Sequence, residues 1–187
     1  MDLTPLIASF LLVAVAELGD KTQLAIIALS SYHSVLLVFT GGMLALLLVS
    51  GMGVVIGDAL TMIIPMLIIR VASAILFLAF GVYTILSRKE EQVEKSNSKH
   101  TALSVFSMIT LMELGDKTQL AVIALAAEYS APLLVYAGVI MAFTIITGLG
   151  VLIGSRLMKL IPSRLIKLGS GIVFFLFGIV FLANAAL

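Results

Sequence analysis

The chain has 187 residues, of which 61% are hydrophobic and 11% are charged, and its mean hydropathy is +1.24. Soluble domains carry about 25% charged residues, so this composition excludes an ordinary soluble protein and indicates an integral membrane protein. The net charge of +1 provides no surface for nucleic acid, and the absence of cysteine excludes disulfides and thiolate metal sites.

Six apolar runs follow one another along the chain, each close to the ~20 residues that a helix needs to cross a bilayer. Backbone polar groups in lipid must be bonded within the segment, so these runs predict helices. Their approximate bounds are 3–29, 35–56, 65–86, 101–126, 133–153 and 165–183. The N-terminus lacks the basic region of a secretory signal, and we expect the first run to be a mature span.

The two halves of the chain repeat each other. The sequence ELGDKTQLAIIAL at 17–29 returns as ELGDKTQLAVIAL at 113–125 with one difference, and GMGVVIG at 51–57 returns as GLGVLIG at 148–154. Between the halves, SRKEEQVEKSNSKH holds seven Lys, Arg, Asp or Glu and predicts a solvated linker. The chain therefore divides into a first three-helix unit, a charged linker and a second three-helix unit, at residues 1–86, 87–100 and 101–187.

Three spans per unit is an odd number, so the second unit enters the membrane from the opposite side. The sequence thus predicts an all-α integral membrane protein with six transmembrane helices in two inverted three-helix repeats, an architecture typical of secondary transporters. The loops on the linker side hold eight basic residues, and the other side has only Arg70. The positive-inside rule then places both termini outside and the linker in the cytoplasm. The eight residues are Arg88, Lys89, Lys95, Lys99, Arg156, Lys159, Arg164 and Lys167.

Each copy of ELGDKTQL lies near the middle of a span, where one charged side chain costs about 2.5–3.5 kcal/mol. On a helix, residues i and i+3 share a face, so Glu17, Asp20 and Gln23 form one polar stripe that the inverted repeat sets against its equivalent. The glycine between the acids predicts close helix packing or a local break that exposes carbonyl oxygens. The predicted cation ligands are Glu17, Asp20, Gln23, Glu113, Asp116 and Gln119.

Counting Lys21 and Lys117, the four carboxylates leave a formal charge of −2, which a divalent cation neutralises. Oxygen ligands suit Mg²⁺, Ca²⁺ and Mn²⁺, whereas Cu⁺ and Zn²⁺ usually recruit Cys or His. Two charge-balancing roles fit Lys21: an ion pair with Glu17 at i+4, or occupancy of the site after the cation leaves.

The remaining polar residues of the spans have more than one interpretation. Thr22 and Thr118 are secondary candidates, which bond within their own helices unless each helix breaks at its glycine. Asp58 and Glu128 lie at predicted loop edges, where we expect them to be solvated.

The motif Glu-Leu-Gly-Asp-Lys-Thr, present twice in a six-span chain, resembles the Glu-x-Gly-Asp-Lys/Arg-Ser/Thr signature of the GDT-type cation transporter family, which includes MneA-like manganese exporters of bacteria. The resemblance implies a Mn²⁺ or Ca²⁺ transporter of the bacterial inner membrane, with Glu17, Asp20, Glu113 and Asp116 at the cation site. It implies export from the cytoplasm in exchange for protons, with the cation as substrate and no cofactor. A homo-oligomer is compatible with this sequence.

The predicted mechanism is alternating access at one central site, with Mn²⁺ export favoured over Ca²⁺/H⁺ exchange. Two hypotheses from other classes compete with it. An intramembrane aspartyl protease needs two acids that share a proton, and the extra glutamates and lysines of the motifs favour cation binding instead of an enzyme. An exporter of small organic solutes needs room and an unpaired basic group for a carboxylate.

Overall fold

The computed structural model describes residues 2–31, 33–86, 102–160 and 163–186, and it leaves the side chains of 153–160, 163, 164 and 167 undescribed. The predicted linker and the basic side chains used to orient the chain therefore lie outside the described residues. The described ranges fold into α1 (Thr4–Glu17), α2 (Lys21–Ser30), α3 (Val35–Ile63), α4 (Met66–Leu86), α5 (Ala102–Glu113), α6 (Lys117–Tyr129), α7 (Pro132–Leu160) and α8 (Ser163–Ala186).

Four of these helices contain a segment long and apolar enough to cross a membrane, namely α3, α4, α7 and α8. The exposed faces of the bundle carry many large apolar side chains, as expected for contact with lipid acyl chains. The chain is therefore an α-helical, multi-pass membrane protein, as its composition predicts.

The predicted first span is two helices joined by a turn. The backbone angles are φ −60° and ψ 115° at Leu18 and φ +71° at Gly19, and the Asp20 N–H donates to the Glu17 carbonyl over 3.1 Å. These values define a type II turn, whose third position requires a positive φ and therefore favours glycine. The prediction of an uninterrupted helix is wrong here, and the alternative of a break at the glycine is confirmed.

The predicted fourth span has the same break. Gly115 has φ +77°, and the Asp116 N–H donates to the Glu113 carbonyl over 3.1 Å. Both Glu-Leu-Gly-Asp sequences thus end one short apolar helix and begin another, so that two helix C-termini and two helix N-termini lie at the motifs.

The most extensive helix contacts keep their pattern when α1–α4 are exchanged with α5–α8. Helix α1 packs on α7 as α5 packs on α3, helix α2 packs on α7 as α6 packs on α3, and α4 packs on α8. Equivalent glycines allow two of these close approaches: a Cβ on Gly138 would overlap the Leu6 carbonyl, and a Cβ on Gly41 would lie 2.7 Å from the Ala102 carbonyl. Between α4 and α8, Phe77 packs against Phe174, with ring centroids 6.0 Å apart.

The bundle has two ends, which we name by a residue at each. At the Glu128 end, α4 begins while α6 and α8 end, and Arg70 contacts both Glu128 and Asn184. At the His33 end, α3, α5 and α8 begin while α4 ends, so that Ile85 approaches Gly171. The motif turns lie between these two ends.

Candidate cation site

The two motif glutamates lie in the core, and the threonine of the other motif holds each of them. Glu17 is 2% exposed and Glu113 is 1% exposed. The Thr118 hydroxyl donates to Glu17 Oε1 over 2.5 Å, and the Thr22 hydroxyl donates to Glu113 Oε1. Each threonine is the second residue of the helix that follows a break, α2 or α6, and the break directs its hydroxyl toward the other motif. Bonding to the Glu side chain replaces the bonding within the helix that a continuous helix would favour.

The two lysines also contact the opposite motif. Lys117 Nζ pairs with Asp20 Oδ1, and Lys21 Nζ lies 3.2 Å from Asp116 Oδ1. Lys21 therefore pairs with the aspartate of the other half and not with Glu17 four residues earlier, because the turn between them removes the helical spacing. The contacts of threonine and lysine tie the two halves together at the centre of the bundle.

The two motif glutamines bond within their own motifs. Gln23 Oε1 accepts from the Gly19 N–H over 2.5 Å, and Gln119 Oε1 accepts from the Gly115 N–H over 2.6 Å. An N–H exposed by a helix break needs an acceptor when it is buried, and these amide oxygens supply one. The oxygens predicted as cation ligands are thus engaged in fixing the turns.

Three of the four motif carboxylates converge. Oxygen atoms of Glu17, Asp20 and Glu113 lie within 4.8 Å of one another, and these residues are the acidic group that the described part of the chain brings together in this way. Asp116 lies beside them through its contact with Lys21, and its side chain is 20% exposed against 2% for Asp20. Oxygen atoms from both halves therefore form a buried anionic centre suited to a hard divalent cation.

A cavity of about 10 Å³ borders Glu113. Its lining includes Ser50, Thr118, Gln119 and Phe143. This volume is about the minimum that one buried water needs, and the lining combines these polar groups with apolar side chains.

The two motifs differ in their surroundings. At Gly19, an added Cβ would lie 3.1 Å from Ile166 of α8, and the Ser170 hydroxyl of α8 donates to the Val15 carbonyl over 2.6 Å. At Gly115, an added Cβ would meet no atom within 4 Å in the described part of the chain. The first motif is therefore covered by α8, while the second has open space beside it.

A cavity of about 220 Å³ lies between α3, α4 and α6, toward the Glu128 end. It follows α6 from Leu120 to Ala127, and Ile69 and Ser73 of α4 line its other side. Ile69 and Ser73 are the repeat equivalents of Ile166 and Ser170. Ile166 and Ser170 thus cover the first motif, whereas their equivalents in the other half line a cavity.

The expectation that Glu128 is solvated is wrong. It is 8% exposed, its Oε1 lies 3.3 Å from Arg70 Nε, and the Asn184 side-chain amide donates to the same oxygen over 3.2 Å. The sequence signal for this contact was weak, because Arg70 and Glu128 lie in different halves. Arg70 is, however, the one basic residue at this end in the predicted topology, which calls for an acidic partner.

Residues 5–92 and 101–187 match the family described as "Divalent cation/proton antiporter GDT1". Over 95% of its length the chain is 30% identical to GDT1-like protein sll0615 of Synechocystis sp., of which it covers 96%. It is also 30% identical, over 95% of its length, to Protein PAM71, chloroplastic, of Arabidopsis thaliana, and it spans 56% of that longer protein. No solved structure matches the chain.

Proposed function

Because the match covers most of its length, this chain belongs to the GDT1 family of divalent cation/proton antiporters, and we propose that it carries Mn²⁺ out of the cytoplasm in exchange for protons. Membership in an antiporter family makes the chain a transporter and not an enzyme, so the protease hypothesis is wrong. The alternative within the family is Ca²⁺/H⁺ exchange at the same site. Lys21 and Lys117 each contact an aspartate, which disfavours an exporter of organic carboxylates.

The convergence of carboxylates from both halves is the observation that carries this proposal. Glu17, Asp20 and Glu113 bind the cation, and Asp116 joins them when its contact with Lys21 is released. The Thr22 and Thr118 hydroxyls hold the glutamates in place, while Gln23 and Gln119 hold the turns. We favour Mn²⁺ because Ca²⁺ takes six to eight oxygens in a flexible shell, whereas this cluster is small and tightly enclosed.

The proposed architecture has six spans, with α1–α2 and α5–α6 each forming one broken span. Residues 1–86 and 101–187 are then inverted three-helix repeats joined by the cytoplasmic linker at 87–100. Both termini lie outside a bacterial inner membrane, the Glu128 end faces outward, and the His33 end faces the cytoplasm. Broken helices that meet at a repeat interface are typical of substrate sites in secondary transporters, which supports this arrangement.

The proposed cycle uses the lysines as exchangeable partners of the aspartates. Mn²⁺ arriving from the cytoplasm displaces Lys117 from Asp20 and neutralises the glutamates. Movement of α4 and α8 against the motif helices then closes the cytoplasmic side and opens the outer side. Protons taken up there by the carboxylates release the cation, and they return with the carboxylates to the cytoplasmic side.

Flux into proteoliposomes tests this proposal. We expect radioactive Mn²⁺ to follow an imposed pH gradient in the wild type, and Asp20→Asn to reduce the flux to the level of empty vesicles while the protein remains folded. Asp58→Asn is the matched control, because it makes the same substitution in α3 outside the site, and it should transport normally. Flux of Ca²⁺ alone would select the alternative cation, and normal Mn²⁺ flux in Asp20→Asn would refute the site.

A further inference from the structure

A second group of polar side chains joins three helices at the Glu128 end. Arg70 of α4 places its Nε 3.3 Å from Glu128 Oε1 of α6, and its Nη1 donates to the Asn184 carbonyl of α8 over 2.9 Å. The Asn184 side chain in turn donates to Glu128 over 3.2 Å. We call these three residues the Arg70 network. The planar guanidinium serves two helices at once, which a lysine ammonium on a flexible chain does less well.

The Arg70 network has no equivalent in the other half of the sequence. The repeat positions of Arg70, Glu128 and Asn184 hold Lys167, Tyr32 and Ser87, so the acidic member is missing. The two motifs are identical from Glu to Leu, and the surrounding helices share most of their glycines. The Arg70–Glu128 ion pair, whose acidic member the equivalent repeat position lacks, is therefore a departure from the repeat, and it marks a task specific to that end.

The Arg70 network lies beside the larger cavity. Ile69 and Ala127 line the cavity, and each is the chain neighbour of a charged member of the network. Ser73, one helical turn after Arg70, lines it as well. A contact that holds the first turn of α4 to the last turns of α6 and α8 therefore limits how far the cavity walls can separate at this end.

We infer that Arg70, Glu128 and Asn184 are positioning residues that hold the Glu128 end of the cavity in its narrow form. Arg70 keeps α4 against α6 and α8, and release of that contact widens the cavity without changing the carboxylate centre. The Glu128 side chain is 4% exposed, so loss of Arg70 also leaves a buried carboxylate without its counterion.

Thiol labelling tests this inference on a clean background, because the chain contains no cysteine. Ser73→Cys reports on the cavity at the Glu128 end, and Ser170→Cys at the equivalent position of α8 reports on the covered side. Each reporter is combined with Arg70→Gln, Glu128→Gln or both, and reacted with a small methanethiosulfonate in liposomes. Asp58→Asn, an acid-to-amide change on α3, serves as the control.

We expect Arg70→Gln and Glu128→Gln each to raise the labelling rate at position 73 about tenfold, the shift that the loss of one hydrogen bond to a charged group gives to a two-state equilibrium. The double variant should match the singles, since either change already breaks the contact. Arg70→Lys should retain part of the wild-type protection. The rate at position 170 should stay constant or fall.

Equal increases at positions 73 and 170 would overturn the inference, because they would indicate general loosening of the bundle. Unchanged labelling at position 73 in both single variants would also overturn it. The inference concerns the cavity at the Glu128 end and not the proposed cation site itself, and labelling measures access to that cavity and not flux. Failure of Mn²⁺ transport and failure of the Arg70 network are therefore distinguishable.

Discussion

The two motifs have the same eight residues and almost the same internal contacts, yet their surroundings differ. Gly19 lies against Ile166, and the Asp20 side chain is 2% exposed; Gly115 has open space beside it, and the Asp116 side chain is 20% exposed. The cause of the difference is outside the motifs, because it follows from the positions of α4 and α8.

This comparison distinguishes the proposed cation-binding centre, which is nearly the same in the two motifs, from the access to it, which differs between them. The cross-motif contacts of the glutamates are equivalent, so the proposed binding centre is nearly symmetric. Ile166 and Ser170 cover one side, whereas their equivalents Ile69 and Ser73 line a cavity on the other. A transporter built in this way can exchange the covered and the open side by moving α4 and α8 while the centre is preserved. The difference in surroundings between the two motifs thus belongs to one arrangement of α4 and α8 and not to the motifs themselves.

The largest expected effect tests the part of the site that is equivalent in the two halves, which is the pair of buried glutamates. Glu17→Gln and Glu113→Gln should each lower Mn²⁺ transport by about 100-fold or more, because each removes a buried carboxylate proposed as a ligand, and even residues that only support ligands cost 10- to 100-fold. The two losses should be equal within about threefold, since both glutamates are buried and held by equivalent threonines. Initial rates of Mn²⁺ flux measure them. Losses that differ by tenfold or more would extend the asymmetry to the binding centre.

The lysines should show an intermediate and unequal effect. Lys117→Met leaves the buried Asp20 without its lysine and should lower the free energy of unfolding by about 3 kcal/mol. Lys21→Met affects the more exposed Asp116 and should cost about 1 kcal/mol or less. Denaturant titration in detergent micelles measures both values. Added Mn²⁺ should reduce the difference in unfolding free energy between the two variants, because the cation replaces the missing charge. Equal losses in the two variants would contradict the difference in exposure between Asp20 and Asp116.

We expect the smallest effect from substitutions of the glycines in the two motif turns. Gly115→Ala should cost about 1–2 kcal/mol of unfolding free energy, because its positive φ disfavours any side chain. Gly19→Ala should cost about 1 kcal/mol more, because its Cβ would also press on Ile166. Adding Ile166→Ala to both glycine variants should reduce the gap between them. A gap that survives this change would mean that Ile166 is not what covers the first motif.

Much of the fold follows from the sequence, because apolar length and repetition are local signals. The cores of α3, α4, α7 and α8 coincide with four predicted spans. The ends of α3 and α7 were predicted seven residues early, at 56 and 153 instead of Ile63 and Leu160, because hydropathy locates the apolar core of a helix and not the residue at which its backbone ends.

The sequence indicated the helix breaks as one of two alternatives, but it did not determine them. Gly19 inside an apolar run is compatible with a packed helix, and only the φ of +71° distinguishes the turn. Asp20 three residues before Gln23 resembles a helix start, and that signal favours the break. Once the helix breaks, i and i+3 no longer share a face, so partners such as Thr118 for Glu17 cannot be read from spacing.

The site assembled from both halves has a consequence for synthesis. A ribosome delivers Glu17, Asp20 and Lys21 to the membrane about 96 residues before Glu113, Asp116 and Lys117 exist. During that interval the first half carries charges whose partners are not yet made, and these charges must stay near water or beside the insertion machinery. We therefore expect the first motif to reach its final contacts only after the second motif has been translated.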